Sequence, residues 1–552
     1  MKPTMTFPTS PLCTTRLPLR ERRERFGGDG RAQGAARARP RGGIPRVLQL
    51  FTLNLFLPFA LNACDSTNPN PPGPGSGGAG GGGGGTPEGC VPSENADPVG
   101  NECGVFVSSS MGDDINGGTK EKPFKTIGAA LAAASGRPVY ACAETFTEAV
   151  VVGAPVDLYG GLDCSNGWAY VGADTKTTLT AAADAIPLVV QAGASGSRVE
   201  DFAVIAVDAM TPGGSSIAMI AQDGATAELL RCELRAGAGA PGVPGTTPAE
   251  VGPNGEGQNG ENGAVGVDNG MGCTTVAVSV GGSGGQLMCG DINVSGGRGG
   301  SGTPDSVGGV GNDGLPQPGP MPLDGKGGAG QPNMGQCSQG NGGALGTPGM
   351  SGEGATGVGD INASGYAAAN ASLGMSAGTP GQGGGGGGGA KACGVMTMFA
   401  GPSGGGGGSG GCGGAPGTGG GAGGSSIGLL SHQATLTLTS VAIVTALGGA
   451  GGPGGNGQPG GGGGQPGAGG ASNACTGGQG GSGGRGGSGG GGLGGHSIGI
   501  ASKGTAPVQN DVTIVQGAHG PGGLGGDGDM AAQGADGQEC KTLSFDEPGS
   551  CS

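Results

Sequence analysis

Glycine fills 145 of the 552 positions while aromatic residues make up 3 %, and that pairing constrains the fold of this chain more than any motif in it. Bulky apolar side chains are too few for a thick globular core of this length, so something else must organise it. The glycines are patterned. Residues 477–494 read GGQ GGS GGR GGS GGG GLG, residues 448–465 read GGA GGP GGN GQP GGG GGQ, and residues 517–528 read GAH GPG GLG GDG. Three readings of these triplets stand side by side. Collagen is the first, but proline is sparse and the runs are six triplets at most. Disordered linker is the second. The third is extended three-fold glycine helices packed through backbone hydrogen bonds, since glycine at one or two positions in three lets backbones touch. Cys337, Cys412 and Cys475 lie inside the tracts, and a disordered loop would give a disulfide no fixed partner.

Between the tracts runs an internal repeat. SSIAMIAQDGATAELLRCELRAGAG from Ser215, SSIGLLSHQATLTLTSVAIVTALGG from Ser425 and HSIGIASKGTAPVQNDVTIVQGAHG from His496 align almost without gaps. Each reads as one coil of two or three short strands, with Ile217, Ile427 and Ile498 as stacked inward positions. CGDINVSGG from Cys289 and VGDINASGY from Val358 read as degenerate coils. A glycine tract follows each coil, so the insertions leave at one corner. Upstream, from Pro138, short β-rich runs (PVYACA, EAVVV, PVDLYG, TTLTA) alternate with Gly, Asp and Asn. Thr126 can cap a short helix whose apolar face is Ile127, Ala130, Leu131 and Ala134.

The segment from Val105 to Leu158, with GDDINGGTKEKPFKTIGAALAAA, VYACAETFTEAVVV and VDLYGGLDC, resembles the N-terminal cap and first coils of pectate-lyase-like β-helix proteins over roughly residues 103–236. The resemblance implies an all-β chain, a right-handed parallel β-helix or solenoid, and the repeat adds long Gly-rich loop insertions that are polyglycine-II-like if ordered. Such bundles resemble those of Gly-rich phage-fibre tips and some antifreeze proteins. Lyases, hydrolases and adhesive proteins share the β-helix, so the resemblance speaks to fold and not to activity.

The other informative stretch is VLQLFTLNLFLPFALNAC, ending at Cys64, with Arg37, Arg39, Arg41 and Arg46 upstream. It is shorter than the ~20 residues a bilayer-spanning helix needs and resembles a bacterial lipoprotein signal. By that resemblance Leu61-Asn62-Ala63-Cys64 is the lipobox and Cys64 the lipidated residue; an ordinary cleaved export signal is the other reading. Residues 64–89 form a Pro/Gly/Ser tether, residues 90–236 the cap and first coils, and residues 237–552 coils interleaved with Gly-rich loops and closed by a C-terminal Cys loop. Residues 1–63 are extension and signal. Their removal leaves 14 basic against 37 acidic residues, a field that repels phosphate and argues against nucleic-acid partners. The expected partners are the membrane, through the acyl anchor, and polysaccharide or other cell-surface components, at the outer membrane or cell surface. In composition the chain is similar to Gly-rich bacterial lipoproteins labelled PE-PGRS-like, without a PE domain.

Fifteen cysteines in an exported chain point to disulfides. Cys142 and Cys164 are about one coil apart, Cys90 with Cys103 and Cys540 with Cys551 suggest small closed loops, and Cys232 aligns with Val441 and Val512 as an unpaired core thiol. No C-x-x-C pair accompanies them, which argues against zinc. Catalysis on a β-helix needs carboxylates converging on one groove. The carboxylates of the coil-rich region are Asp113, Asp114, Asp157, Asp163, Glu200, Asp201 and Asp208, without a pattern that sets any pair apart. His432, His496 and His519 read as surface histidines; Trp168 and Tyr170 read as a sugar platform or as cap residues. Residues 308–315, GGVGNDGL, match a nonapeptide calcium repeat, and residues 522–529 nearly so. Asp313 and Asp527 are therefore candidate calcium ligands, although such sites are built from tandem copies. No other cofactor and no catalysis are expected; a polysaccharide lyase or glycosidase is the alternative.

Overall fold

The computed structural model describes residues 89–552 except 96, 173, 251, 267–278, 305–306, 370, 392–400, 472 and 547–549. The extension, the lipobox with Cys64, nearly all of the tether, Cys273 and Cys393 lie outside the described residues. No helix among the described residues is long and apolar enough to cross a membrane.

Short strands pair in parallel into three sheets. The first stacks Val105–Val107, Val139–Cys142, Asp157–Asp163, Ser197–Glu200, Thr226–Leu230, Thr435–Thr439 and Val508–Asn510; the second runs from Thr145–Thr147 through Thr177–Thr180, Phe202–Ile205, Glu233–Arg235 and Ala442–Val444 to Thr513–Val515. The third runs from Val150–Val152 through Leu188–Val190, Ser216–Ala221, Ser426–His432 and Ser497–Lys503 to Glu539–Ser544. From Val139 onward the chain visits first, second and third sheet in that order, circuit after circuit. All three sheets contribute to one apolar core, for example Leu229 and Leu438 from the first, Leu234 and Ile443 from the second, and Met219, Leu429 and Ile500 from the third. The last four passages from first to second sheet each use a single left-handed residue, Asp201, Arg231, Ser440 or Asp511, with φ between 50° and 61°.

At the N-terminal end the helix Ile127–Ala134 covers the core. Thr126 Oγ1 accepts the Ala129 N–H as its cap, and Ser135, at φ 50°, ends it. At the other end Gln509 occupies the register position of Leu229 and Leu438, and Val508–Asn510 is exposed throughout. A polar residue at an inward position ends the stack.

Two expectations are corrected. Ile217, Ile427 and Ile498 do stack in register, yet they belong to a second cluster with Ile361, Tyr366 and Phe545 instead of the main core. Ala218, Gly428 and Gly499 interrupt the in–out alternation: a Cβ on Gly428 would strike Ile443 of the core, so the isoleucine before it is turned outward. The stretches at Cys289 and Val358 are not coils. Met288–Cys289 with Ile292–Asn293, and Asp360–Asn362 with Gly365–Ala367, are antiparallel hairpins. Two-residue Gly-Asp and Ala-Ser connections reverse the chain at once and cannot reach three sheets. The second hairpin instead lies over the outer isoleucines of the third sheet.

The long insertions leave between the second and third sheets, after Arg235, Val444 and Val515. They are ordered. Their amides bond at every third residue to adjacent segments: Gly239, Gly242 and Gly245 donate to Leu447, Ala450 and Pro453, while Gly480, Gly483 and Gly486 donate to Gly464, Gly461 and Gln458 in the opposite direction. Residues 403–412 lie at the centre. Ser403, Gly406 and Ser409 donate to Ala264, Glu261 and Gln258; Gly404, Gly407 and Gly410 donate to Gly300, Gly297 and Val294; Gly405, Gly408 and Gly411 donate to Cys475, Gly478 and Gly481. The carbonyls between them accept from the segments 282–285, 384–390 and 464–470. Glycine content follows depth. Segment 404–411, enclosed on all sides, is GGGGGSGG; the 448–465 tract keeps two glycines per triplet; the outer segment 257–263, GQNGENG, keeps one. A Cβ is tolerated only where no backbone approaches that face.

The structure bonds Cys90 to Cys103, Cys142 to Cys164 and Cys540 to Cys551, the pairs the spacing suggests. Cys289–Cys412 and Cys337–Cys475 tie distant glycine segments together. Cys232 is a free, buried thiol, and burial pushes its pKa up to about 12, so it is inert packing.

Candidate binding groove on the glycine bundle

The carboxylates of the circuits serve the backbone and one another. Asp114 accepts from the Lys125 and Thr126 N–H groups at the helix start, Asp163 from Ser165 and Asn166, and Asp208 from Ala238. Glu144 is wrapped by Ser108, Ser109 and Ser110; burial alone would raise its pKa, but these bonds outweigh it and hold the carboxyl below its usual range. Glu200 and Asp201 do converge with basic groups. The Arg231 guanidinium bonds both, Arg198 Nε lies 3.0 Å from Glu200 without hydrogen-bond alignment, and Tyr170 O–H donates to Asp201 at 2.8 Å. Both carboxylates are only 1 % exposed, while Lys176, Arg198 and Arg231 reach solvent at 25–30 %, so the acidic groups of the cluster are turned into the fold and covered by their partners.

Trp168 is buried edge-on against Phe106, in the cap and not on a platform. His496 corrects the surface expectation: it is fully buried at the start of Ser497–Lys503, where Nδ1 accepts from Gln538 N–H at 2.9 Å and Nε2 donates to Val358 O at 3.1 Å. Burial lowers its pKa to about 4. Because the folded value lies below the unfolded value near 6.5, the neutral ring's contribution is whole above pH ~6.5 and is lost as pH falls toward 4. Urea denaturation between pH 4 and 7 is expected to show that loss, roughly 3 kcal/mol at most, and His496→Gln should flatten it; an unchanged slope in the variant would assign the loss to other groups.

Asp313 and Asp527 are far apart in sequence and each has a basic partner: Lys326 Nζ at 3.1 Å from Asp313, Arg485 at 2.6 Å from Asp527. Gly327 N–H and Ser488 Oγ also bond them. Among the described residues no group of three or more His, Cys, Asp or Glu could hold a metal ion.

One surface feature that can receive a ligand is a groove of about 700 Å³ on the glycine bundle, within the size range of small-ligand sites. Three extended segments build it, joined by Gly296 N–H to Gly285 O, Asn312 N–H to Arg298 O and Leu315 N–H to Ser295 O. Their three-residue period delivers side chains to the same concavity: Ser283 and Gln286, Ser295 and Arg298, Asn312 and Leu315. Asn293, Asp313 and Gln317 complete the polar wall. Gln286, Asn293, Asn312, Gln317 and Arg298 are exposed. Gln286 Nε2 donates to Gly284 O, Asn293 accepts from Ser295 N–H, and Arg298 Nε donates to Gly281 O at 3.2 Å. The wall offers amide donors and acceptors, one guanidinium and one carboxylate already bonded by Lys326. Sequence reasoning missed it because its residues converge only if the tracts are ordered. Comparison with protein-family models, with curated proteins and with solved structures returns no match to this chain, so its function rests on its own geometry.

Proposed function

We propose that this chain is an exported envelope lipoprotein, anchored through Cys64, with a structural or adhesive role and no catalysis. In this reading the three sheets are the faces of a right-handed parallel β-helix, and the insertions form a polyglycine-II-like bundle growing from one corner. The fixed order of sheets and the single shared core support the first statement; hydrogen bonds at every third residue support the second. The observation that carries the functional reading is the contrast between the two polar regions. The buried carboxylates are covered by basic and hydroxyl partners of the fold, whereas the exposed groove presents amides suited to sugar hydroxyls and lacks the paired carboxylates that glycoside hydrolysis requires. Disulfides accord with an extracytoplasmic address.

A polysaccharide panel scored for both binding and turnover tests it on the full chain. Retention on cell-surface glycans without new reducing or unsaturated ends is expected, and steady turnover would replace this reading with the carbohydrate-active enzyme. Cys64→Ser should abolish acyl labelling and leave an unprocessed precursor; a processed, lipidated variant would remove the anchor.

A further inference from the structure

We propose that the groove on the glycine bundle binds an acidic polysaccharide, a sugar chain bearing carboxylates, with Arg298 as the anchoring cation and the surrounding amides reading its hydroxyls. The inference rests on the adhesive reading and gives it a ligand class.

The argument starts from charge. The chain carries 40 acidic against 25 basic residues, and Arg485, the other arginine of the glycine-rich half, is paired with Asp527. Arg298 has no carboxylate partner among the described residues. Its Nε is fixed on Gly281 O, and the one carboxylate of the groove wall, Asp313, is bonded by Lys326 Nζ and Gly327 N–H. The groove is thus a cationic spot on an acidic molecule. A guanidinium takes a carboxylate in a two-pronged arrangement, with direction as well as charge.

The amides supply the second half. Asn312 and Gln317 are exposed, and no side-chain bond engages them among the described residues. A primary amide offers two donors and an acceptor within a few ångströms, the pattern presented by neighbouring sugar hydroxyls. Leu315 is the only large apolar residue of the wall, which disfavours lipids and apolar peptides. The bundle holds these side chains on backbone bonded at three-residue intervals, so little order has to be created on binding.

The test measures retention of a soluble polyuronate, and of the same polymer after its carboxyl groups have been reduced to alcohols, by the full chain at 0.15 M salt in EDTA, where screening is effective beyond about 8 Å. The polyuronate is expected to bind at least tenfold more tightly than the reduced polymer. Arg298→Gln should erase that difference, and Asn312→Ala with Gln317→Ala should weaken both polymers about equally. All three positions are exposed, and unchanged circular dichroism and melting temperature confirm folding. Equal affinity for the two polymers, or an Arg298→Gln protein that still prefers the polyuronate, overturns the proposal. So does the absence of polyuronate binding. Each of these leaves the adhesive reading standing if the chain is retained on another glycan, and that reading fails by itself when no surface glycan is bound.

Discussion

Gly407→Val is expected to cost more than about 3 kcal/mol, the upper range for overpacking, because the clash cannot be relieved by a rotamer change. Gly407 donates to Gly297 O and lies in a segment bonded by other backbones on every side. A Cβ placed there falls inside the van der Waals envelope of the Gly384 carbonyl. Moving Gly384 away would break its own bond to Gly408 O, so the strain passes to the next strand of the bundle. Gln465→Val is the control: Gln465 occupies the outward position of its triplet and is exposed, and the change should stay within about 0.5 kcal/mol. Urea denaturation of the two variants, with hydrogen exchange across residues 401–412, checks the pair. Equal effects would mean that the tract is not a packed bundle.

Arg231→Met is expected to cost about 3–5 kcal/mol, the range for stripping the partner from a buried ion pair. Of basic partners Glu200 would keep only Arg198, and Asp201 only Lys176 at 4.0 Å, beside the Ser93 and Tyr170 hydroxyls that donate to them. Thermal unfolding of Arg231→Met beside Arg231→Lys, which keeps the charge without the two-pronged geometry, separates this from simple loss of packing, for which both variants would lose about equally.

The circuits were legible because their information is local. Strand-length apolar runs, a Thr126 cap before an apolar helical face and the aligned positions Cys232, Val441 and Val512 can all be read within a few dozen residues. The outer isoleucine row was not, because a one-residue break in alternation at Ala218, Gly428 and Gly499 looks like any other small residue. The hairpin at Asp360 repeats coil vocabulary, and only its two-residue turn betrays it. His496 was misjudged since its partners, Gln538 and Val358, come from segments 42 and 138 residues away. The groove was hidden for a related reason. Nothing in one glycine triplet says which other triplet it will touch, so the meeting of Gln286, Arg298 and Asn312 follows from pairings that the tracts do not spell out one by one. The depth rule, three, two or one glycine per triplet, is written in the sequence but has meaning only once order is known.

The three-residue period also fixes which changes in gene length this protein can survive. Gaining or losing one whole triplet, nine bases of coding sequence, keeps every glycine on its inner face and shifts the segment by one hydrogen-bond period. A one-codon slip keeps the reading frame and still turns an outward alanine, proline or glutamine toward a backbone that has no space for it. Replication slippage in such DNA is therefore filtered at the level of packing, and related tracts should differ in length by multiples of three residues far more often than by one or two.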